Sequence, residues 1–428
     1  MHLTWVQIMR LGLVQMALGA IVVLTTSTLN RLMVVEFALP AVLPGALVGL
    51  HYGIQLSRPK WGFISDKGGN RTAWIIGGMA VLALGGLLAA YAVTLFAASY
   101  ALALGLSLFA YAAIGLGVGA SGTSLLALLA TTTAPHRRAA AATITWLMMI
   151  FGIALTAGLA GSFLDPYTPA RLMGVVAVVV SAAMLLTVLA TGRIECGLIV
   201  TAQEPPTPFM EGLREIWGEP RARNFTLFVF LSMNAYFMQE LILEPYAGLV
   251  FNFTPGQSTQ LSGAQNGGVF LGMLTVGIMA TGLKIGSLRV WVTSGCLGSA
   301  VLLGLIALNG AGEAFAPLTV LVTLLGFFNG MFAVAAIGSM MALASEGRAR
   351  REGTRMGLWG AAQAIAAGFG GLTGAAAVDI LRTTLPDGAA FGAVFTFEAF
   401  LFVAAALMAL RILDRTTAQA IPALVPGE

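Results

Sequence analysis

A chain of 428 residues with 58% hydrophobic and only 9% charged side chains, and a mean hydropathy of +0.89, has too little polar surface to clothe a water-soluble domain and belongs in a bilayer. Its formal net charge of +4 follows from membrane orientation, as the loops below indicate, and nucleic acid is excluded as a partner class. The two cysteines, Cys196 in a polar connection and Cys296 inside an apolar run, exclude a disulfide framework and a cysteine metal site.

Arg10 is followed by an apolar run over 11–30 that is far longer than a signal-peptide core and lacks a small-residue cleavage site, so the first span is expected to stay in the protein. Further runs, each of the roughly 20 residues that cross about 30 Å of hydrocarbon, cover 37–57, 73–96, 101–130, 139–164 and 172–191. Between 192 and 223 the hydropathy collapses into the longest polar interval, where Thr207, Pro208 and the apolar face of Phe209, Met210, Leu213, Ile216 and Trp217 predict a short helix lying on the membrane surface. Apolar runs resume at 224–248, 260–282, 290–310, 315–344, 356–380 and 391–410. The sequence therefore predicts an all-α membrane protein of about twelve transmembrane helices, with a six-helix half over 1–191, a cytoplasmic connection over 192–223 and a second half with a tail over 224–428.

With the N-terminus inside, about 19 cations fall in cytoplasmic segments and about three, Arg31, Arg171 and Arg382, fall outside, so both termini are expected in the cytoplasm. Trp61, Trp74, Trp146, Trp291 and Trp359 mostly begin spans at that face, where an aromatic belt is expected. The halves also match at an offset of about 213: Arg138 and Trp146 answer Arg351 and Trp359, Gly158 and Gly161 answer Gly371 and Gly374, and Gly115 and Gly119 answer Gly326 and Gly330. Repeats of six spans are a transporter signature with the ligand between the halves, and the glycines serve close helix approach.

The loop after the second span reads Gly62-Phe-Ile-Ser-Asp66-Lys67-Gly-Gly69-Asn-Arg71. Gly62 permits helix approach, Gly68 and Gly69 a tight turn, Asp66 can accept from a helix N-terminus, and Lys67 and Arg71 face headgroups. This spacing resembles the GxxxD(R/K)xGxR signature of the major facilitator superfamily, with Asn70 in place of the usual basic residue and a second-half counterpart reduced to Lys284 to Arg289. Leu29-Asn-Arg-Leu-Met-Val-Val-Glu36, Leu50-His-Tyr-Gly53, Arg58-Pro-Lys-Trp-Gly62, Arg71-Thr-Ala-Trp-Ile-Ile-Gly-Gly-Met79 and Met238-Gln-Glu-Leu-Ile-Leu-Glu-Pro-Tyr-Ala-Gly248 narrow it further. Together they resemble the PucC/LhaA group, the bacteriochlorophyll delivery branch of that superfamily, across essentially the whole chain.

The resemblance implies delivery or insertion of bacteriochlorophyll, or a late precursor, in the photosynthetic inner membrane. Implied partners are light-harvesting and reaction-centre polypeptides and bacteriochlorophyll synthase. It also implies that Asp66 braces the start of the eleventh span near Arg355, with Arg138 across the neighbouring loop. Two other functions stay open: a secondary transporter of a small amphipathic solute, proton-coupled through Glu240, and a pigment-free assembly chaperone. No Walker loop, HExxH, nucleophile elbow or paired aspartate cluster is present, so no enzymatic activity is expected.

His51, the one histidine inside a span, could ligate a chlorin magnesium axially, or serve as a histidine hydrogen-bonded between helices; no other metal ligand set is expected. Glu240 and Glu244 lie one turn apart near the outer end of span seven, with Pro245 biasing Glu244 toward the helix end. An ion pair, a proton site and a pigment or partner contact are the readings for them. The repeat places Arg31 opposite Glu244, predicting that Arg31 pairs with Glu244 or with Glu240. His51 lies toward the cytoplasm and Glu240 toward the outside, so a single compact site is not expected. Asp379 is assigned no role beyond interface solvation, and Glu398 stays open.

Overall fold

Local signals start many of the helices. Thr4 and Thr254 close capping boxes with Gln7 and Gln257, Asn70, Thr168 and Ser287 accept from the first helical turn, and Pro169, Pro220 and Pro255 occupy first-turn positions where a missing N–H costs nothing. The computed structural model describes residues 2–57, 70–134, 137–195, 217–283, 285–312, 314–345 and 352–413, with side chains described throughout except at 139, 281–282, 340–345 and 352–361.

Among these residues the long helices are α1 (Trp5–Glu36), α2 (Val42–Gln55), α3 (Arg71–Thr94), α4 (Tyr100–Thr132), α5 (Arg138–Leu164), α6 (Pro169–Thr191), α7 (Pro220–Phe251), α8 (Pro255–Val276, continued by a π-helical turn Gly277–Gly282), α9 (Leu288–Ala311), α10 (Leu318–Ser345), α11 (Glu352–Arg382) and α12 (Asp387–Ile412). Ten of them are long and apolar enough to cross a membrane. The others are α2, described over 14 residues, and α8, whose first turns carry Gln257, Ser258, Thr259, Gln260, Ser262, Gln265 and Asn266.

Packing repeats with the chain. In the first half α1 lies on α5 and α6, α2 on α4, and α3 on α4 and α6; in the second α7 lies on α11 and α12, α8 on α10, and α9 on α10 and α12. The halves meet chiefly where α2 packs on α11 and α5 on α8. Equivalent glycines do different work: Gly161 lies against Gly256 across the seam, a Cβ there falling 2.6 Å from the Gly256 carbonyl oxygen, whereas Gly371 and Gly374 lie against Leu241 and Met238 within the second half.

Two boundaries differ from expectation for identifiable reasons. α1 runs to Glu36 through two π-helical turns, Leu24–Thr28 and Leu32–Glu36, which widen the helix without ending it. α7 continues past Pro245 to Phe251 and stops at Asn252, whose φ of 57° is left-handed, so Glu244 lies within the helix and not at its terminus. The predicted surface helix falls mostly on 196–216, outside the described residues.

Candidate functional site

Nine cross-half hydrogen bonds gather at one end of the seam, the end opposite Trp5 and Ile412, called the far end below. Polar residues on α1 and α8 build its core. Ser27 and Ser262 hydroxyls are 3.2 Å apart, those of Thr28 and Thr259 are 3.1 Å apart, and all four are buried. The π-turn at Leu24–Thr28 shifts the backbone ladder, and the Thr25 carbonyl accepts from the Tyr111 hydroxyl of α4 at 2.6 Å.

Pro245 supplies another acceptor. It has no N–H to give the carbonyl four residues earlier, and that carbonyl, Leu241, accepts instead from the Asn30 amide of the opposite half at 2.5 Å. A helix defect in one half is thereby the docking point for the other.

Arg31 does not pair with Glu244 or Glu240. Its guanidinium holds Glu36 at 2.5 Å, donates to the Phe253 carbonyl at 2.7 Å and reaches the Ser258 hydroxyl at 3.4 Å. The predicted pair is corrected by the π-turn at Leu32–Glu36, which brings Glu36 round to Arg31, while Glu244 accepts from Ser262 at 2.5 Å and is 1% exposed. Arg31 still bridges the halves, through a carbonyl and a hydroxyl in place of a carboxylate. Beside it, burial pushes the Tyr167 hydroxyl pKa up, the Glu36 carboxylate adds to that shift and Arg31 opposes it.

Below this seal the seam turns aromatic. The His51 ring meets Tyr52 edge-on at 4.9 Å, Tyr52 meets Phe237 of α7 at 5.7 Å, and Phe237 meets Tyr236 at 5.2 Å. Glu240, half-buried, stands one helical turn from Tyr236 on α7. Tyr52 and Phe237 touch across the seam, and His51 and Glu240 each lie within about one helical turn of that contact. His51 is 1% exposed and its Nε2 is 2.7 Å from the Gln55 amide nitrogen. Glu398 lies inside the second half, fully buried, between Phe395 and Phe402, whose rings pack on Tyr246 and Phe332.

Of the expected cytoplasmic motif, Gly62, Asp66, Lys67 and Gly69 lie outside the described residues, as does the Arg355 side chain. Arg71 donates to the Ala127 carbonyl at 3.1 Å and to the Thr131 hydroxyl, and Arg138 to the Thr133 carbonyl at 3.3 Å, so both tie down the end of α4. Sequence reading missed Ser27, Thr28, Asn30, Ser258, Thr259, Ser262 and Asp165; the run Thr25-Thr-Ser-Thr28 with Asn30, in an otherwise apolar span, was the signal available.

The family described as PUCC protein matches residues 28–417. A Rhodobacter capsulatus protein named "Bacteriochlorophyll synthase 44.5 kDa chain" is 64% identical over 431 residues, covering 100% of both chains. A "Protein PucC" from Cereibacter sphaeroides is 30% identical, over 93% of this chain and 90% of its own. Among solved structures, a mutant of the nucleoside transporter NupG aligns with a TM-score of 0.69 at 12% identity, over 95% of this chain and 100% of its own. A bacterial homologue of the lysosomal transporter Spinster, inward-facing and unoccupied, aligns with a TM-score of 0.65 at 14% identity, over 98% of each chain. At such identities the likeness concerns the fold, which is that of the major facilitator superfamily.

Proposed function

This chain belongs to the PUCC protein family, and from that premise we propose that it carries bacteriochlorophyll, or a late magnesium tetrapyrrole precursor, and hands it on while light-harvesting and reaction-centre polypeptides are assembled. The observation that carries the reading is the end-to-end 64% identity to a protein named for bacteriochlorophyll synthesis. The transporter fold supports movement of a ligand over catalysis, and we assign the chain no chemical step. Tyr52, Tyr236 and Phe237 gather edge-on at the seam, and aromatic rings of this kind are the side chains that stack on a flat conjugated ligand. On this reading the membrane is the photosynthetic inner membrane, both termini are cytoplasmic, and bacteriochlorophyll synthase is the partner that supplies the pigment.

The absorption spectrum of the protein purified from phototrophically grown cells tests the proposal. A co-purifying bacteriochlorin band is expected; colourless protein from pigment-replete membranes would leave a pigment-free chaperone or a solute transporter. The half-buried Glu240 beside Tyr236 favours the second of these, with Glu240 carrying a coupling proton. Within the pigment reading, His51→Leu is expected to shift the red band or reduce bound pigment if magnesium takes Nε2 from Gln55. An unchanged spectrum would assign His51 to helix packing and leave the carrier role standing.

A further inference from the structure

We propose that Asp165 and Asp379 are a matched pair of latches that hold the far end of the two halves together, each capping the second helix of the opposite half. They stand 214 positions apart, within one residue of the internal repeat. Each follows or ends the fifth helix of its own half: Asp165 succeeds Leu164 of α5, and Asp379 lies in the last turn of α11. Each reaches across the seam to a helix N-terminus, where unpaired N–H groups and the helix dipole favour a negative charge.

Asp379 accepts from the backbone N–H of Ala41 at 2.9 Å through Oδ1 and of Val42 at 2.7 Å through Oδ2. The N-terminus of α2 has no side-chain cap from its own neighbourhood, so its cap comes from the other half. Asp165 accepts from Gly256 N–H at 3.1 Å through Oδ1 and from the Thr254 hydroxyl at 2.5 Å through Oδ2, at the start of α8. A side chain at Gly256 would overlap the Asp165 carboxylate and the Gly161 carbonyl, so glycine is what lets the latch close. Neither carboxylate has a cation within ion-pair distance among the described residues, so both are committed to these N-termini. The pairing puts two hydrogen bonds on either side of the pseudo-two-fold axis, and the far end closes on both flanks together.

The test uses the full chain in lipid nanodiscs, with Cys196 and Cys296 replaced and spin labels at Ala97 and Thr384, exposed positions in far-end connections of opposite halves. Asp165→Asn and Asp379→Asn remove the charge and one of two acceptors. Each is expected to raise the long-distance population about tenfold, with the Ala variants shifting it further and the double variant further still. Asp387→Asn, which removes a far-end pair with Arg382 inside one half, is expected to leave the distribution unchanged. If both single Asn and both single Ala variants, eluting as intact folded protein, keep the parental distribution, the latch is overturned. A shift of the same size with Asp387→Asn would also overturn it, because the effect would then belong to surface charge in general.

Discussion

Arg31→Met is expected to destabilise the closed far end by about 2 to 3 kcal/mol, the scale of losing charge-assisted hydrogen bonds in a buried setting. The Arg31 side chain is 3% exposed and serves three acceptors, two of them in the opposite half, so its removal strands the Phe253 carbonyl and the Ser258 hydroxyl as well as Glu36. Glu36, with 34% of its side chain exposed, is rescued by water, and Glu36→Gln is expected to cost less than about 1 kcal/mol. A double-mutant cycle by thermal unfolding in detergent separates the partners: Arg31 should couple more strongly to Glu36 than to Glu244. The charge exchange Arg31→Glu with Glu244→Arg is expected not to rescue either parent, because the new glutamate would face Glu36 and the new arginine would be buried beside Ser262. Rescue by that exchange would restore the direct Arg31 and Glu244 pair suggested by the repeat.

Gly326→Ala or Gly272→Ala should cost more, about 3 kcal/mol, at the upper part of the range for overpacking a rigid contact. α8 and α10 touch backbone to backbone: a Cβ at Gly326 would overlap the Gln265 carbonyl oxygen, and one at Gly272 the Phe327 carbonyl oxygen. Carbonyls inside helices cannot rotate away as a flexible side chain does, so the helices must part. Gly304 of α9 is the control, since a Cβ there meets nothing within 4 Å, and Gly304→Ala is expected to be neutral or stabilising by up to about 1 kcal/mol. Thermal unfolding of the three variants, with yield of monodisperse protein as a second readout, checks the ranking. Equal midpoints for Gly326→Ala and Gly304→Ala would show that the interface yields more readily than its geometry indicates.

The architecture was legible in the sequence because hydropathy is a local, additive property. Unbroken apolar runs mark spans whatever their neighbours, which is why the runs at 73–96 and 391–410 fall on α3 and α12 within a few residues. The motif around Asp66 and the stretch Met238 to Gly248 identified the family because both are short, contiguous and specific. Gly326 could be read as a close-approach residue from its repeat partner Gly115, although only the fold shows that it meets Gln265 while Gly115 meets His51.

Partnership was decided by the tertiary structure. In a regular α-helix Glu36 would point about 140° away from Arg31, and the repeat then makes Glu244 the natural partner; the wider π-turn reduces that offset and the nearer carboxylate takes the cation. Pro245 read as the end of a helix, yet helix packing carries α7 through it and turns the orphaned Leu241 carbonyl into a contact for Asn30. Asp379 read as a solvated interface residue, because nothing along the chain reveals that the start of α2, more than 300 positions earlier, lies within hydrogen-bond reach of it. Hydropathy fixes which segments enter the bilayer, whereas a hydrogen bond depends on ångström-scale placement of two atoms, and only the packing of the two halves sets those distances.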